Sequence, residues 1–258
     1  MNRSLSKWTM ITGILGYLFL YLPLVNVVTY SFNDSKLNAE WIGFTFKWYA
    51  KLFHNEEMIE AATNSLVIAL VASLVATVLG TLAGLALHRF KLRLLPVLIL
   101  APVAIPEILM GVSLLVFFVM LNLTLGMMSI VLAHIAFCIS FVAIVVRSRL
   151  AGMDESLVEA ARDLGATPLQ AFWQVTLPLI MPGIIAGALM AFTLSIDDFV
   201  ITFFTAGAGT ATLPVKIYTM VKIAVTPEVN AVSTLLMLLT LFLIVVATKI
   251  APGVLRND

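Results

Sequence analysis

Long runs of apolar residues alternate with short polar connections along this chain. A helix that crosses a membrane needs roughly 20 apolar residues, because each residue rises about 1.5 Å and the hydrocarbon core is about 30 Å thick. Six windows reach this length, at about residues 8–30, 61–87, 94–120, 127–146, 177–204 and 229–250. We therefore predict an all-α integral membrane protein whose six transmembrane helices form a single domain over residues 1–258.

The composition narrows the class of protein further. The chain is 61% hydrophobic and 11% charged, with a mean hydropathy of +1.08. A soluble domain has about 45–50% apolar and about 25% charged residues. The composition therefore excludes a soluble enzyme, a nucleic-acid-binding protein and a disordered chain. A single cysteine, Cys138, excludes an internal disulfide.

The positions of lysine and arginine predict the orientation, because these residues concentrate in cytoplasmic loops. Ten of the 15 lie on the side that would also hold both termini: Arg3, Lys7, Arg89, Lys91, Arg93, Arg147, Arg149, Arg162, Lys249 and Arg256. We predict that both termini are cytoplasmic. Residues 31–60 and 206–228 would then lie outside, and the loop at 147–176 would lie inside.

This inner loop reads as two short helices. Ser156 and Glu159 have the spacing of a capping box, which predicts a helix start, and Gly165 is a usual helix-ending residue. Residues 167–170 offer a second box with proline at the first helical position. We predict a further break at Leu177-Pro178, where the chain enters the fifth span.

Two acidic residues share one face of the first short helix. Glu159 and Asp163 stand four residues apart, so their carboxylates repel each other slightly. An isolated helix gains nothing from this arrangement, whereas a basic partner surface would be attracted to it. A solvated loop helix without a partner is the alternative reading, and the residues alone leave both open.

A fixed pattern runs from this loop into the fifth span. Residues 159–161 are Glu-Ala-Ala, three residues precede Gly165, and nine more precede Val175-Thr176-Leu177-Pro178. This pattern resembles the EAA motif of ABC-importer permeases, with Val175 where the motif has isoleucine. The resemblance implies a type I ABC-importer permease fold with a short coupling helix between helices 4 and 5. It also implies that a separate ATPase subunit contacts Glu159, Ala160, Ala161, Asp163 and Gly165.

The chain carries no phosphate-binding loop of its own. No glycine is followed by lysine, so the G-x-x-x-x-G-K-[ST] pattern is absent. We therefore expect a non-catalytic subunit that binds no cofactor, with ATP and Mg held by the partner ATPase.

Three carboxylates fall within or at the end of apolar windows, where such groups are costly and are candidates for function. Glu107 lies about 13 residues into the third window, roughly 20 Å deep in a straight helix, next to Pro102 and Pro106. Asp197 and Asp198 lie near the outer end of the fifth window. Neighbouring helical residues point about 100° apart, so at most one aspartate faces a narrow path and the other caps or pairs elsewhere. Acids along a path favour a cationic solute.

These acids can also have purely structural roles. Glu107 can be a protonated or hydrogen-bonded carboxyl at a helix interface, and the aspartates can be a solvated helix end.

Segments at residues 31–33, 192–199, 212–214, 217–218 and 225–231 resemble the permeases of spermidine/putrescine importers. That resemblance implies a bacterial inner-membrane complex of two different permeases, two ATPase copies and a periplasmic polyamine-binding protein. It leaves open whether spermidine or putrescine is preferred, and implies a substrate path with Glu107, Asp197, Asp198 and Tyr218.

Other features support less specific readings. His134 and Cys138 stand four apart, a spacing that can hold a metal, but no further ligands are near and we interpret both as packing residues. Two G-x-x-x-G pairs, at 80–84 and 183–187, permit close helix approach either to a partner permease or within the bundle.

Three rival functions remain to be weighed. A secondary cation transporter would use the acids as proton couplers. An intramembrane aspartyl enzyme would need its two acids on separate helices, which adjacent aspartates do not provide. Within the permease class, the alternative is a different cationic or small solute.

Overall fold

The computed structural model describes residues 7–36, 38, 40–90 and 93–250, which are almost entirely helical apart from an isolated bridge between Asn33 and Phe44. The helices, in chain order, are α1 (Lys7–Tyr30), α2 (Lys47–Leu52), α3 (Glu56–Arg89), α4 (Leu94–Ala104), α5 (Glu107–Met120), α6 (Met127–Ala151), α7 (Ser156–Asp163), α8 (Pro168–Ala171), α9 (Leu177–Ile196), α10 (Val200–Thr205), α11 (Leu213–Ile223) and α12 (Pro227–Ile250). A π-helical turn at Phe172–Thr176 joins α8 to α9.

The described helices match the six predicted spans. Five stretches are long and apolar enough to cross a membrane: Thr9–Tyr30, Glu56–Arg89, Met127–Ala151, Pro168–Ile196 and Pro227–Val246. The pair α4 and α5 is bent by 107° and makes a sixth span if it is counted as one. Arg3, Lys91 and Arg256, which contribute to the predicted orientation, lie outside the described residues.

The third span breaks completely rather than bending. Ile105 and Pro106 are extended, with ψ angles of 133° and 135°, and the helix restarts at Glu107. Pro106 lacks a backbone N–H and disfavours helical geometry in the residue before it, which explains the break. The depth of roughly 20 Å assumed a straight helix and does not apply here. Glu107 instead lies in the first turn of α5, where the helix dipole favours a negative charge.

The fifth span differs from its prediction at both ends. The expected break at Leu177-Pro178 is wrong, because the π-helical turn carries the chain directly into α9. This wider turn precedes Pro178, whose ring would clash with the carbonyl of a regular α-helix. The expected continuation of the span to residue 204 is also wrong, since α9 ends at Ile196 and α10 begins at Val200.

Contacts divide the chain into two compact units, Met1–Ile59 with Lys216–Leu239, and Glu60–Val215 with Thr240–Asp258. The single domain expected from the sequence stays a prediction beside this division. In the first unit, Lys51 pairs with Glu228 at 2.6 Å, and Lys216 pairs with Glu57. Each ion pair joins two segments that the charge pattern assigns to the outer side, as that orientation requires.

The core of the second unit lies around α6, which packs closely on α9. Both glycine pairs make close approaches to this helix. A Cβ added to Gly80 would lie 2.5 Å from the Val142 Cβ, and one added to Gly183 would lie 2.9 Å from the Arg149 Cβ. Of the two alternatives for these motifs, the structure therefore supports packing within the bundle.

Candidate functional site

Two of the predicted acids lie at the two helix breaks. Gly111 of α5 packs against α10, where an added Cβ would lie 2.8 Å from the Phe204 ring and 3.5 Å from the Ile201 Cα. One turn before these contacts, α5 begins with Glu107, and α10 is preceded by Asp197. Both side chains are exposed. Two separate apolar windows therefore place an exposed carboxylate at or just before the start of each of two helices that pack together.

Asp198 has a different role from its neighbour. Its Oδ2 accepts hydrogen bonds from the Thr202 backbone N–H and hydroxyl, both at 2.8 Å, and its Oδ1 accepts one from the Ile201 N–H at 3.4 Å. Such bonds satisfy the free N–H groups at the start of α10. Asp198 is thus the aspartate that caps a helix, and its side chain is only 7% exposed.

The ring of His134, on α6, lies beside Asp198. Its Nε2 lies 3.3 Å from the Asp198 Oδ2 and 2.9 Å from the Thr202 hydroxyl, and its Nδ1 lies 2.6 Å from the Ser195 hydroxyl. The sequence did not reveal this cluster, because nothing in the local pattern places α6 against the α9–α10 break. A lone histidine in an apolar helix was the available signal.

Cys138, the possible metal ligands and Tyr218 are the other features that the sequence singled out. Cys138 packs against α9, with its Sγ 3.5 Å from the Ala191 carbonyl, as a packing residue does. Among the described residues no group of three or more metal-ligating side chains occurs. Tyr218 lies on α11 in the first unit and is 41% exposed.

The cytoplasmic loop forms the two short helices that the sequence predicts, with one correction. The Ser156–Glu159 capping box is wrong, since Ser156 is the first residue of α7 and makes no side-chain cap. The Asp154 carboxylate instead accepts a hydrogen bond from the Ser156 N–H at 3.0 Å. Hydrogen bonds from Ser156 hold the pKa of Asp154 below its usual range.

The second half of the loop follows the prediction closely. Gly165 has a φ of +95°, a conformation that favours glycine, and the Ala166 N–H bonds back to the Ala161 carbonyl. The predicted box at α8 is confirmed: the Gln170 N–H donates to the Thr167 hydroxyl at 3.3 Å, and the Thr167 N–H donates to the Gln170 Oε1 at 2.8 Å.

Most of the motif residues are accessible. Glu159, Ala160, Asp163 and Gly165 are exposed, while Ala161 is half-buried. Four large apolar side chains that we did not single out from the sequence are exposed around them: Leu157, Leu164, Leu169 and Trp173. Leu164 is 91% exposed, the highest value among the described large apolar residues. An apolar residue at the end of a polar loop helix was the signal that would have found it.

A crevice of about 570 Å³ separates this loop from the ends of α3 and α6. Ionisable side chains line it, among them His88, Arg89, Glu155, Glu159 and Arg162. The His88 Nε2 lies 3.5 Å from the Glu155 carboxylate. This contact joins two segments assigned to the inner side, again as the predicted orientation requires.

Comparison with known proteins decides the family. The family described as the inner membrane component of binding-protein-dependent transport systems matches residues 76–256, well over half of the chain. The chain belongs to this family. It is thus a multi-pass permease of an inner membrane, a transport component rather than an enzyme, and the family implies a binding protein and a separate ATPase.

Two Escherichia coli K12 relatives resemble the permease over nearly its whole length. It is 45% identical over 242 residues to the putrescine transport system permease protein PotI, covering 90% of this chain and 86% of PotI. It is 41% identical over 238 residues to the spermidine/putrescine transport system permease protein PotC, covering 91% of this chain and 90% of PotC.

A solved structure confirms the predicted fold of the permease. A chain of a bacterial ABC transporter involved in alginate import superposes with a TM-score of 0.76 at 18% identity, over 96% of this chain and 95% of that one. At this identity the likeness concerns the fold alone.

Proposed function

We propose that the permease forms half of the path of an ATP-driven polyamine importer, in which Glu107 and Asp197 are the carboxylates that attract the substrate. The observation that carries this proposal is that these two exposed acids lie at the breaks before α5 and α10, two helices that pack directly on each other. The relatives named for putrescine and spermidine support the choice of substrate class.

The electrostatics of this site favour a polycation. Two nearby carboxylates repel each other, and an ammonium group between them replaces that repulsion with two attractions. An anionic solute would meet repulsion from both. Asp198 contributes less to the substrate, because its oxygens already accept bonds from α10. Asp197 is therefore the aspartate that we assign to the path, while a role of Tyr218 stays a prediction from the sequence.

The cytoplasmic loop is the proposed coupling element. In this proposal an ATPase subunit that binds ATP and Mg docks against α7, in contact with Glu159, Ala160, Ala161, Asp163 and Gly165. The exposed side chain of Leu164 supports such a contact, since a 91% exposed leucine at the end of a loop helix gains from burial. The complete complex would contain two ATPase copies, a second permease and a periplasmic polyamine-binding protein.

Transport of labelled polyamine tests the proposal directly. The permease is reconstituted in proteoliposomes with the ATPase, second permease and binding protein encoded beside it, and uptake is followed with ATP inside. We expect Glu107→Gln and Asp197→Asn each to lower uptake at least about tenfold, as loss of a charge-assisted bond does. The matched control is Glu60→Gln, the same change at an exposed acid elsewhere.

Competition by a panel of solutes identifies the substrate class. Spermidine and putrescine should compete with the labelled substrate, whereas dicarboxylates and neutral sugars should not. Uptake that follows a proton gradient and needs no ATP would instead support a secondary transporter. Full uptake by both acid variants would refute the assigned site.

A further inference from the structure

One buried side chain contacts both ends of the α9–α10 break. His134 is 1% exposed, and its ring touches Ser195 in the last turn of α9, Asp198 in the break and Thr202 in α10. Asp197, the aspartate we assign to the substrate path, lies between the first two of these contacts along the chain. The imidazole of His134 therefore contacts residues on both sides of Asp197 along the chain.

The protons in this cluster can be assigned from the geometry. The Thr202 hydroxyl donates to the Asp198 Oδ2, so its oxygen is an acceptor toward the His134 Nε2, which must carry a hydrogen. The Nδ1 of a neutral ring then accepts the hydrogen of the Ser195 hydroxyl. A neutral imidazole satisfies every one of these groups, and no other side chain offers a donor and an acceptor at opposite ends of a rigid ring.

We propose that His134 is a positioning residue for transport: by holding Ser195 and Asp198 together across the break, it fixes the position of the Asp197 carboxylate in the substrate path. This inference rests on the proposed function and deepens it. His134 does not touch the substrate, and it acts only through the backbone that it holds.

The chemistry of the cluster argues against packing as its only role. An apolar residue of similar volume would fill the same space and is often equally stabilising in place of buried polar groups. It would, however, leave the buried Ser195 hydroxyl without a partner and remove one contact from Asp198. Fully satisfied buried networks restrict a structure to one arrangement, which is what a break between two short helical segments requires.

Two variants and one control test this role in the reconstituted complex. His134→Leu removes both polar contacts, whereas His134→Gln keeps an N–H donor near the Nε2 position. The control is Cys138→Ala, a buried residue one turn along α6 whose Sγ contacts the Ala191 carbonyl of α9. For each variant, polyamine uptake and the ATP hydrolysis stimulated by the loaded binding protein are measured together.

We expect His134→Leu to lower uptake per ATP hydrolysed at least about tenfold while assembly and hydrolysis stay within about twofold. His134→Gln should recover most of the loss, and Cys138→Ala should behave as the unmodified protein. A merely structural role predicts instead that uptake and hydrolysis fall together. Unchanged uptake per ATP in a well-assembled His134→Leu complex overturns the proposal.

A milder variant covers the case in which His134→Leu does not assemble. Ser195→Ala removes only the bond to Nδ1 and should lower uptake per ATP about fivefold, and an unchanged value again overturns the proposal. Different results would defeat the proposed substrate site and the positioning role of His134. Full uptake by Glu107→Gln and Asp197→Asn defeats the proposed site itself, whereas loss in those variants beside normal His134→Leu transport defeats only the positioning role.

Discussion

Replacing Leu164 with alanine tests whether the cytoplasmic loop docks on an ATPase. The side chain is 91% exposed in the isolated chain, so docking can remove nearly all of it from water. The substitution deletes three carbon groups at about 0.8 kcal/mol each, a loss of about 2.4 kcal/mol in binding free energy. That corresponds to roughly fiftyfold weaker association.

The assay is the affinity of the purified ATPase for the permease in nanodiscs, measured by biolayer interferometry. Ile223→Ala is the matched control, because Ile223 is 88% exposed on α11, in a segment assigned to the outer side. Leu164→Ala should weaken binding while Ile223→Ala leaves it unchanged. Equal affinities for both variants would refute the docking surface.

Three further outcomes are expected. Gly80→Ala should lower the thermal unfolding temperature of the detergent-solubilised permease, because the added Cβ overlaps α6 and overpacking costs about 1–3 kcal/mol. Its control is Gly13→Ala, which should not lower that temperature because the added Cβ meets nothing within 4 Å. Gly165→Ala should weaken ATPase binding about fivefold or more, because a φ of +95° strains alanine by about 1–2 kcal/mol. Its control is Gly152→Ala, since Gly152 has an ordinary φ of −93°. Equal losses of binding in the two variants would contradict this reasoning. The lowered pKa of Asp154 stabilises the start of α7 above the ordinary carboxyl pKa of about 3.9. The stabilisation is lost as pH falls through the lowered value. Between about pH 5 and 8, protonation of Asp154 should therefore not change the protection of the α7 amides from hydrogen exchange. A loss of protection in this pH range that disappears in the Asp154→Ala variant would contradict this prediction.

Hydropathy was sufficient to locate the spans, because a membrane helix must satisfy its own backbone and therefore needs a long apolar run. Their ends were less predictable. The apolar run from residue 199 to 204 continues the fifth window in sequence, yet the Asp198 carboxylate caps a new helix there. Local capping by an acid competes with continuation, and the hydropathy of the neighbours does not reveal which arrangement is preferred.

The candidate site was predictable only in part. The cost of acids in apolar windows singled out Glu107, Asp197 and Asp198 as candidates, and their role in a substrate path stays a prediction. The sequence could not separate the two aspartates, because that distinction depends on where α10 begins and on His134, which lies more than 60 residues before Asp198 along the chain. Contacts of this kind arise from the packing of α6 against α9 and leave no periodic signal.

A double-substitution cycle tests the central claim, that Glu107 and Asp197 bind the same cationic group, most directly. Polyamine uptake is measured for Glu107→Gln, Asp197→Asn and the double variant in the reconstituted importer. If both carboxylates contact one ammonium group, the effects are coupled and the double variant loses clearly less than the product of the two single losses. Single losses that multiply without coupling, or single variants that transport normally, would contradict a shared site.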